Sequence, residues 1–386
     1  MRNLIKHISR SSSVPVFRPS LTTRDVATVF YTLITNQISG TSSMVSKFER
    51  EMAKFSKRKF GIAVSNGSVA LDLAFEVLGL SKDDEVILPS FTIISCISAV
   101  IRCGAKPVLV DVDPHNWNMM FDSVRSATTK KTKCVLMVHT YGLPADALKI
   151  EEFCKNNGIF LIEDSAEAHG QQLEGRPCGS FGDISTMSFY ANKHITCGEG
   201  GMVLTNNEGF ATQLMQMRNL GFESGRRFYH QNLWWNYRLS GMQAALGVSQ
   251  LSHISRTIKL KKKQGAYYSF LLSPFFELLT PPLQSSLGAQ NHYWVYGVIL
   301  KTKGIRESVM KKLSEEGIET RPFFWPLHEQ PAALPHISAP ISLPVAEELG
   351  RNGVYLPTGS HVTKRMQKNI SAKLIKAIIS STTELK

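Results

Sequence analysis

The sequence predicts an α/β protein with a mostly parallel central sheet, followed by a smaller α+β region. From residue 44 to about residue 250, short β-branched runs alternate with runs of helical period. The predicted strands are apolar throughout, which is typical of parallel strands covered on both faces. After residue 250 the pattern changes to mixed strands and helices. We therefore predict a short basic extension over 1–13, a large domain over 14–250 and a small domain over 251–386.

The individual elements follow from local patterns. Met44, Phe48, Met52 and Phe55 recur every three or four residues with charged residues between them, which predicts an amphipathic helix. Predicted strands cover 61–65, 85–88, 107–112, 134–139, 159–163, 184–189 and 202–205. Further helices are predicted over 69–78 and over a long stretch from about 241 to 272. The small domain is predicted to contain a strand over 293–300 and helices over 305–316 and 364–379.

Charge and composition narrow the possible partners. The 386 residues include 44 basic and 31 acidic ones, which gives a net charge of +13. This balance favours a polyanionic partner, either nucleic acid or a phosphorylated small molecule, without choosing between them. No run of about 18 apolar residues occurs, so no membrane-spanning segment is expected. Residues 1–13 are rich in Arg, Lys and Ser and are interpreted as a short solvated extension.

The six cysteines are scattered, with no CxxC pair and no Cys/His spacing typical of metal ligands. Several lie inside apolar strand-like runs, where a free thiol behaves as a small hydrophobic group. We therefore predict neither a disulfide framework nor a metal site, and a reduced, cytoplasmic compartment fits this cysteine usage best.

Ligands of parallel α/β sheets bind at the carboxyl ends of the strands, so polar residues after the predicted strands are the candidates for a site. Gly67 and Ser68 lie between a strand and a helix, where backbone N–H groups favour a phosphate. An ordinary helix cap has the same kind of sequence. Asp164 ends an apolar strand, where a buried carboxylate needs a cation, such as a protonated pyridine ring, or several donors. A capping or turn role is the alternative.

Lys193 also follows an apolar strand and precedes the glycine-rich run 198–201. Lysines are mostly solvated, but a lysine buried at such a position has a lowered pKa and can act as nucleophile and base. Asn236 lies just before the long helical stretch. As an alternative to a role in binding, its segment begins the helix and packs its aromatic residues into the core. No single segment decides the function, but their order and separation are informative.

Eight stretches of the chain together resemble one known family. They are SNGSVALDLA, DEVILPSFT, PVLVDVDP, VHTYGLPAD, IEDSAEAHG, GSFGDISTMSFYANKHITCGEGGM, NYRLSGMQAALG and ETRPFFWPLH. With them the chain resembles the DegT/DnrJ/EryC1/StrS family of PLP-dependent sugar aminotransferases over almost its whole length, and most closely its GDP-perosamine synthase branch. The resemblance implies the PLP-dependent transferase fold of type I.

The resemblance also implies roles for individual residues. Lys193 matches the lysine that forms the Schiff base with PLP, and Asp164 matches the aspartate that pairs with the pyridinium nitrogen. Glu167 matches a residue that approaches the 3′-oxygen of the cofactor. The phosphate-binding positions match Gly67, Ser68, Ser188 and the backbone of Val69. Asn236 matches an asparagine that reaches the phosphate from the neighbouring subunit, which implies a homodimer with shared active sites.

By the same resemblance, the expected reaction transfers an amino group from glutamate to a nucleotide-linked 4-keto-6-deoxy sugar. The nucleotide (GDP, UDP or dTDP) stays open. A segment that resembles one lining the sugar-nucleotide site supplies the candidate substrate residues Arg321, Phe324, Trp325 and His328, and Tyr229 and His230 are further candidates. The aromatic residues of this segment are equally well explained as part of the core of the small domain.

Two positions depart from the family pattern. Ile93 stands where an aromatic residue usually stacks on the cofactor ring, and Trp235 stands where glycine is usual. Two other functions stay open: a PLP-dependent lyase or dehydratase, and a non-catalytic regulator that binds nucleic acid through basic runs such as 57–59 and 261–263. Lys193 disfavours the dehydratase branch, which has histidine there. No nucleic-acid-binding motif accompanies the basic runs, so nucleic acid is not the expected partner.

Overall fold

The computed structural model describes residues 13–222, 225, 228–337 and 339–385. The predicted basic extension therefore lies, except for Ser13, outside the described residues. Among the described residues, every helix is too short or too polar to cross a bilayer. All six cysteines are free thiols.

The first part of the chain alternates helices and strands. The helices are α1 (Thr23–Ile34), α2 (Ser43–Phe55), α3 (Gly67–Glu76), α4 (Ile94–Arg102), α5 (Phe121–Ala127), α6 (Ala147–Asn157), α7 (Glu208–Arg218) and α8 (Gly241–Ser252). The strands are β1 (Phe60–Val64), β2 (Glu85–Pro89), β3 (Lys106–Val110), β4 (Thr132–Val138), β5 (Phe160–Asp164), a short hairpin of β6 (Gln172–Leu173) and β7 (Arg176–Pro177), β8 (Ile184–Ser188) and β9 (Gly201–Thr205).

Seven of these strands form the central sheet in the order β1-β9-β8-β5-β4-β2-β3. The four pairs from β8 to β3 are parallel, whereas β9 is antiparallel to both of its neighbours. The predicted mostly parallel sheet is thus confirmed. Because parallel strands end at the same edge of a sheet, this order places the residues that follow β4, β5 and β8 side by side.

The C-terminal part is smaller and mixed, as predicted. Its elements are α9 (Ile254–Leu272), β10 (Leu279–Thr280), β11 (Ser285–Ser286), β12 (Ala289–Gln290), β13 (Tyr296–Leu300), α10 (Arg306–Glu315), β14 (Arg321–Pro322), α11 (Pro344–Asn352), β15 (Gly353–Leu356) and α12 (Lys364–Leu385). Four strands pair antiparallel in the order β10-β13-β15-β14.

Several elements differ from the prediction. The predicted helical stretch over 241–272 is two helices, α8 and α9, because His253 leaves the helical conformation (φ −127°, ψ 18°). Its Nε2 lies 3.2 Å from Oδ1 of the buried Asp25. That aspartate belongs to α1, a helix that the sequence analysis did not predict. Helix α1 packs on α8 and leaves an apolar face exposed.

The core runs without interruption from the central sheet into the C-terminal part. Phe323 packs against Phe91 and Trp117, with ring-centroid distances of 5.8 and 5.2 Å. The division at residue 250 therefore stays a prediction.

Candidate active site

Lys193 lies in the turn that follows β8, at the carboxyl edge of the central sheet. Its side chain is 9% exposed, and its Nζ lies 3.5 Å from Oε1 of Glu167. The same Nζ lies 3.7 Å from the centroid of the Trp294 ring, within the range of a cation–π contact. The amine is therefore held between a carboxylate and an aromatic face.

Asp164 is the last residue of β5 and is buried. Its Oδ1 accepts a hydrogen bond from the Ala166 N–H at 3.0 Å, and its Oδ2 accepts a weak one from the Cys96 thiol at 3.7 Å. Neither partner is a cation. Burial raises the pKa of Asp164, since a buried carboxylate with so few donors is costly to ionise. A cationic partner would stabilise its charged form.

Glu167 lies in the turn just after Asp164. Its Oε2 accepts a hydrogen bond from the backbone N–H of Tyr141 at 3.0 Å, while Oε1 faces Lys193. Tyr141 follows β4 and adopts a left-handed backbone conformation (φ 58°), which is uncommon for a bulky residue. Burial raises the pKa of Glu167 to about 7, although the charge of Lys193 opposes the shift.

The same burial acts on the amine in the opposite direction. Burial lowers the pKa of Lys193, while the carboxylates of Glu167 and Asp164 counteract the effect in part. A lowered pKa leaves more of the amine neutral near pH 7, and a neutral amine is a nucleophile and a base. The site therefore holds an amine suited to covalent and proton-transfer chemistry.

A separate buried network fixes the strand end beside Asp164. Glu163 lies 2.8 Å from Nε2 of His139 and accepts further hydrogen bonds from Gly179 N–H, Phe181 N–H and the Ser185 hydroxyl. His139 Nδ1 accepts from the Ala145 N–H at 3.0 Å, so Nε2 carries the proton that His139 donates. Glu163 is fully satisfied inside the protein, which leaves Asp164 as the carboxylate with spare capacity.

Gly67 begins α3 directly opposite Ser188. A Cβ at Gly67 would lie 2.7 Å from Cβ of Ser188, so this approach requires glycine. The adjacent Ser68 is exposed. The N–H of Val69, by contrast, donates to the Asn66 side chain at 2.9 Å and is thus engaged in capping the helix. Of the four predicted phosphate-binding positions, the structure brings Gly67, Ser68 and Ser188 to one helix N-terminus.

Asn236 is exposed, and its segment runs beside the start of α3 in the same chain. The Ser65 N–H donates to the carbonyl of Tyr237 at 2.8 Å, and Oδ1 of Asn236 accepts from the Arg238 N–H at 3.2 Å. Trp235, one of the two departures from the family pattern, is 71% exposed. The other, Ile93, is partly exposed at the N-terminus of α4.

The segment 321–328 divides between different surroundings. Phe324 stacks on Trp294, with ring centroids 6.4 Å apart, and Trp294 is the residue whose ring contacts Lys193. His328 is buried elsewhere, with Nδ1 2.7 Å from the Ser90 hydroxyl and Nε2 3.3 Å from Glu347. Only Phe324 of this pair is near the amine.

The remaining predicted substrate residues do not line the cavity that contains Lys193. Arg321 is paired with Glu319. Trp325 packs beside the guanidinium of Arg306 in a different cavity. Tyr229 and His230 are exposed and do not line the cavity that contains Lys193.

Three residues of the site were missed by the sequence analysis. Trp294, Tyr141 and Cys96 contact Lys193, Glu167 and Asp164, respectively. The strand-end rule that selected Asp164 applies equally to Tyr141, which follows β4, so this residue could have been found. Trp294 comes from the C-terminal part of the chain, and no local pattern indicates its contact.

A family model for the DegT/DnrJ/EryC1/StrS aminotransferase family matches residues 19–375. The chain belongs to this family. It is 35% identical over 350 residues to the GDP-perosamine synthase of Vibrio cholerae, which covers 89% of this chain and 94% of that protein. It is 33% identical over 329 residues to the dTDP-4-dehydro-2,3,6-trideoxy-D-glucose 4-aminotransferase of Saccharopolyspora spinosa, with coverages of 82% and 84%.

Among solved structures, the aminotransferase TlmJ from Streptoalloteichus hindustanus superposes with a TM-score of 0.89 at 26% identity, over 96% of this chain and 100% of that one. This agreement confirms the predicted α/β fold, the PLP-dependent transferase fold of type I. The DegT/DnrJ/EryC1/StrS aminotransferases are PLP-dependent enzymes, so the site can be tested for its fit to PLP.

The residues present fit this cofactor. Asp164 is a buried carboxylate without a cationic hydrogen-bond partner, as a protonated pyridine nitrogen requires. Gly67 lets the N-terminus of α3, where a phosphate is favoured, approach Ser188 at the end of β8. Lys193 supplies a buried amine beside Asp164, close enough for each charge to shift the pKa of the other.

Proposed function

We propose that this chain transfers an amino group from glutamate to a nucleotide-linked 4-keto-6-deoxy sugar, with a GDP-linked sugar as the first candidate. The observation that carries the proposal is the buried amine of Lys193, 3.5 Å from Glu167 and near Asp164, a buried carboxylate whose hydrogen-bond partners are both neutral. Similarity to a GDP-perosamine synthase supports the choice of substrate, and a relative named for a dTDP-linked sugar makes that nucleotide the second candidate.

When bound, PLP supplies an aldehyde carbon that takes up the amino group and a pyridine ring that withdraws electrons. Asp164 keeps the ring nitrogen protonated, because that cation stabilises its buried charge. Lys193 would hold the cofactor through its amine, and as a free, neutral amine it would remove the proton from the donor's α-carbon. The same amine then acts as an acid. Glu167, 3.5 Å from the amine, would orient Lys193, and the family resemblance implies that it would face the 3′-oxygen of the cofactor.

The phosphate end of the cofactor is assigned to the N-terminus of α3. Gly67 and Ser68 offer first-turn N–H groups and a hydroxyl, and Ser188 adds a second hydroxyl from the end of β8. The overall reaction converts glutamate and a keto sugar nucleotide into 2-oxoglutarate and an amino sugar nucleotide.

A homodimer with shared active sites belongs to this proposal, with Asn236 contributed by the partner subunit. Val26, Phe30 and Ile34 recur every four residues on α1 and are each at least 60% exposed. Leu233 and Trp235, next to Asn236, are also exposed. Apolar surface of this extent is typical of a protein–protein interface, and a second copy of the chain is the proposed partner.

The test uses purified, PLP-loaded protein, glutamate and a panel of GDP-, dTDP- and UDP-linked keto sugars. The expected result is one molecule of 2-oxoglutarate for each amino sugar nucleotide identified by mass, with the GDP-linked 4-keto-6-deoxy sugar converted fastest. Dehydrated product without 2-oxoglutarate would indicate a dehydratase instead. Salt-sensitive nucleic-acid binding by a protein that converts no sugar would indicate the regulator.

A further inference from the structure

A cavity of about 490 Å³ has Lys193 in its wall, whereas Asp164 and Glu167 do not line it. Its wall includes Lys193 and Trp294, the N-terminal segment 16–22, the first half of α9 and the loop 358–360. The proposed function does not account for most of this lining.

The charges that line the cavity are all of one sign. Arg18, Arg256 and Lys261 line it together with Lys193, and no Asp or Glu is among the described residues of its wall. Both guanidinium groups, of Arg18 and Arg256, lack an ion-pair partner in the part of the chain that the structure describes. Cationic side chains that converge without counterions are typical of a site for an anion.

Lys261 is the most informative of these residues. It is 8% exposed, and its ammonium group makes one hydrogen bond, to the Thr358 hydroxyl at 2.5 Å. An ammonium group has three donors, and a buried charge is costly unless it is paired. Next to it in the cavity wall, the buried Nε2 of His194 has no hydrogen-bond partner. Two buried polar groups of the cavity, the Lys261 ammonium group and His194 Nε2, are therefore not fully hydrogen-bonded within the described protein.

We propose that this cavity binds an oxyanion group, a carboxylate or a phosphate, of a substrate that reacts at Lys193, with Lys261 as its buried counterion. The inference rests on the proposed function in one respect, namely that Lys193 is the reacting group. Arg18 and Arg256 are exposed and add charge at the entrance. The anion comes either from the distal carboxylate of the amino donor or from the diphosphate of the nucleotide sugar.

The location differs from the one that the sequence suggested. Arg321 is the only basic candidate in the segment 321–328 besides His328, and it is already paired with Glu319. Lys261 belongs to the basic run 261–263, which the sequence analysis treated as a solvated nucleic-acid-binding candidate. The lysines of this run have different environments, because Lys261 is buried and Lys263 is exposed on the same helix.

The ionisation of Lys261 supports the same conclusion. Burial lowers the pKa of Lys261 to about 7, so an anion that binds beside it should raise this pKa and take up a proton. Among the described residues, His194 and His361 are affected by the charge of Lys261, and burial lowers the pKa of both, which keeps them neutral above pH 7. Binding of the anion should therefore weaken as the pH rises from 7 to 9.

The experiment measures binding by calorimetry to the PLP-loaded protein, with pyrophosphate as the phosphate probe and glutarate as the carboxylate probe. Neither probe can accept or donate an amino group, so binding does not depend on turnover. Lys261→Met should weaken binding of at least one probe about tenfold or more, because a buried charge pair is lost. Lys263→Met removes the same charge from the exposed face of α9 and should change binding less than twofold. Lys261→Arg should retain most of the affinity.

The two probes identify the source of the anion. Loss of pyrophosphate binding alone assigns the cavity to the nucleotide diphosphate, loss of glutarate binding alone assigns it to the amino donor, and loss of both assigns it to both substrates in turn. The proposal is overturned if wild-type protein binds neither probe, or if Lys261→Met and Lys263→Met bind both as wild type does. Failure of the proposed function would be seen separately, as absence of turnover with the sugar panel.

Discussion

Lys193 and Glu167 form a buried pair, with Nζ 3.5 Å from Oε1, that joins the turns after two neighbouring parallel strands. Burial lowers the pKa of the amine and raises that of the carboxyl group to about 7. The two pKa values are thus shifted toward each other, so a proton leaves or returns to Lys193 more easily than it would for a solvated lysine. This property suits an amine that serves as base and acid in one cycle.

Asp164 is expected to favour activity at the expense of stability. Asp164→Asn should lower turnover roughly a hundredfold or more, since an electrostatic partner of the reacting group is lost. The PLP-free variant should be more stable than wild type at pH 7 by about 1 kcal/mol, because a buried, poorly bonded charge is removed. Because the pKa of Asp164 is higher in the folded protein than in the unfolded chain, where it is about 4, ionisation of this group lowers stability as the pH rises above 4. The gain should therefore grow above pH 4 and then level off, as measured by thermal unfolding.

Asp25→Asn is the matched control for this experiment. Asp25 is also buried, but it accepts hydrogen bonds from the Thr22 N–H at 2.7 Å and from Gln250 Nε2 at 2.9 Å. Burial opposes ionisation, yet the hydrogen bonds outweigh it and lower the pKa of Asp25. Its replacement should reduce stability at pH 7, so equal losses in both variants would contradict the account.

Gly67 is expected to be required for cofactor binding. The added Cβ of Gly67→Ala would lie 2.7 Å from Cβ of Ser188, which pushes the start of α3 away from the end of β8. PLP affinity, measured by fluorescence titration of PLP-free protein, should fall about tenfold or more. Gly209→Ala, in the first turn of α7, meets only the Asn207 side chain at 3.2 Å and should leave the affinity unchanged. Wild-type PLP affinity in Gly67→Ala would show that the cofactor phosphate does not bind at the N-terminus of α3.

Two residues of one predicted substrate segment should behave differently. Phe324 stacks on Trp294, so Phe324→Leu should raise the KM for the sugar nucleotide several-fold. His328 bonds Ser90 and Glu347 in the interior, so His328→Gln should lower the free energy of unfolding by about 1 kcal/mol and leave the KM unchanged. Steady-state kinetics and urea unfolding of both variants decide the assignment, and the reverse pattern would refute it.

The exposed apolar face of α1 is expected to hold two subunits together. Phe30→Ser should raise the dimer dissociation constant at least about tenfold in sedimentation experiments, since a large aromatic contact is lost from the interface. Phe270→Ser removes an equally exposed aromatic residue from α9 and should have no effect. A wild-type protein that sediments as a monomer at micromolar concentration would contradict this prediction.

The parts of the fold set by local pattern were predictable from the sequence. Apolar strands and the polar residues that follow them located Asp164 and Lys193 because strand ends of a parallel sheet meet at one edge. Contacts across the chain were not predictable: Trp294 lies 101 positions beyond Lys193, and only tertiary packing brings them together. Lys261 illustrates the same limit, because its burial depends on Thr358, 97 residues away.

The helix break at His253 also escaped the sequence analysis. The surrounding residues have helical character on both sides, and the break coincides with the contact between His253 and Asp25. A contact over 228 residues leaves no trace in local periodicity.

Reductive trapping identifies the amine that reacts with PLP. PLP-loaded protein is treated with borohydride, digested and analysed by mass spectrometry. We expect one pyridoxyl group per chain, attached to Lys193, in the wild-type protein, and none in Lys193→Met. Lys261 is the natural competitor, since it lines the same cavity as Lys193 and burial lowers its pKa to about 7. A label on Lys261, or on Lys193→Met protein at wild-type yield, would contradict the account.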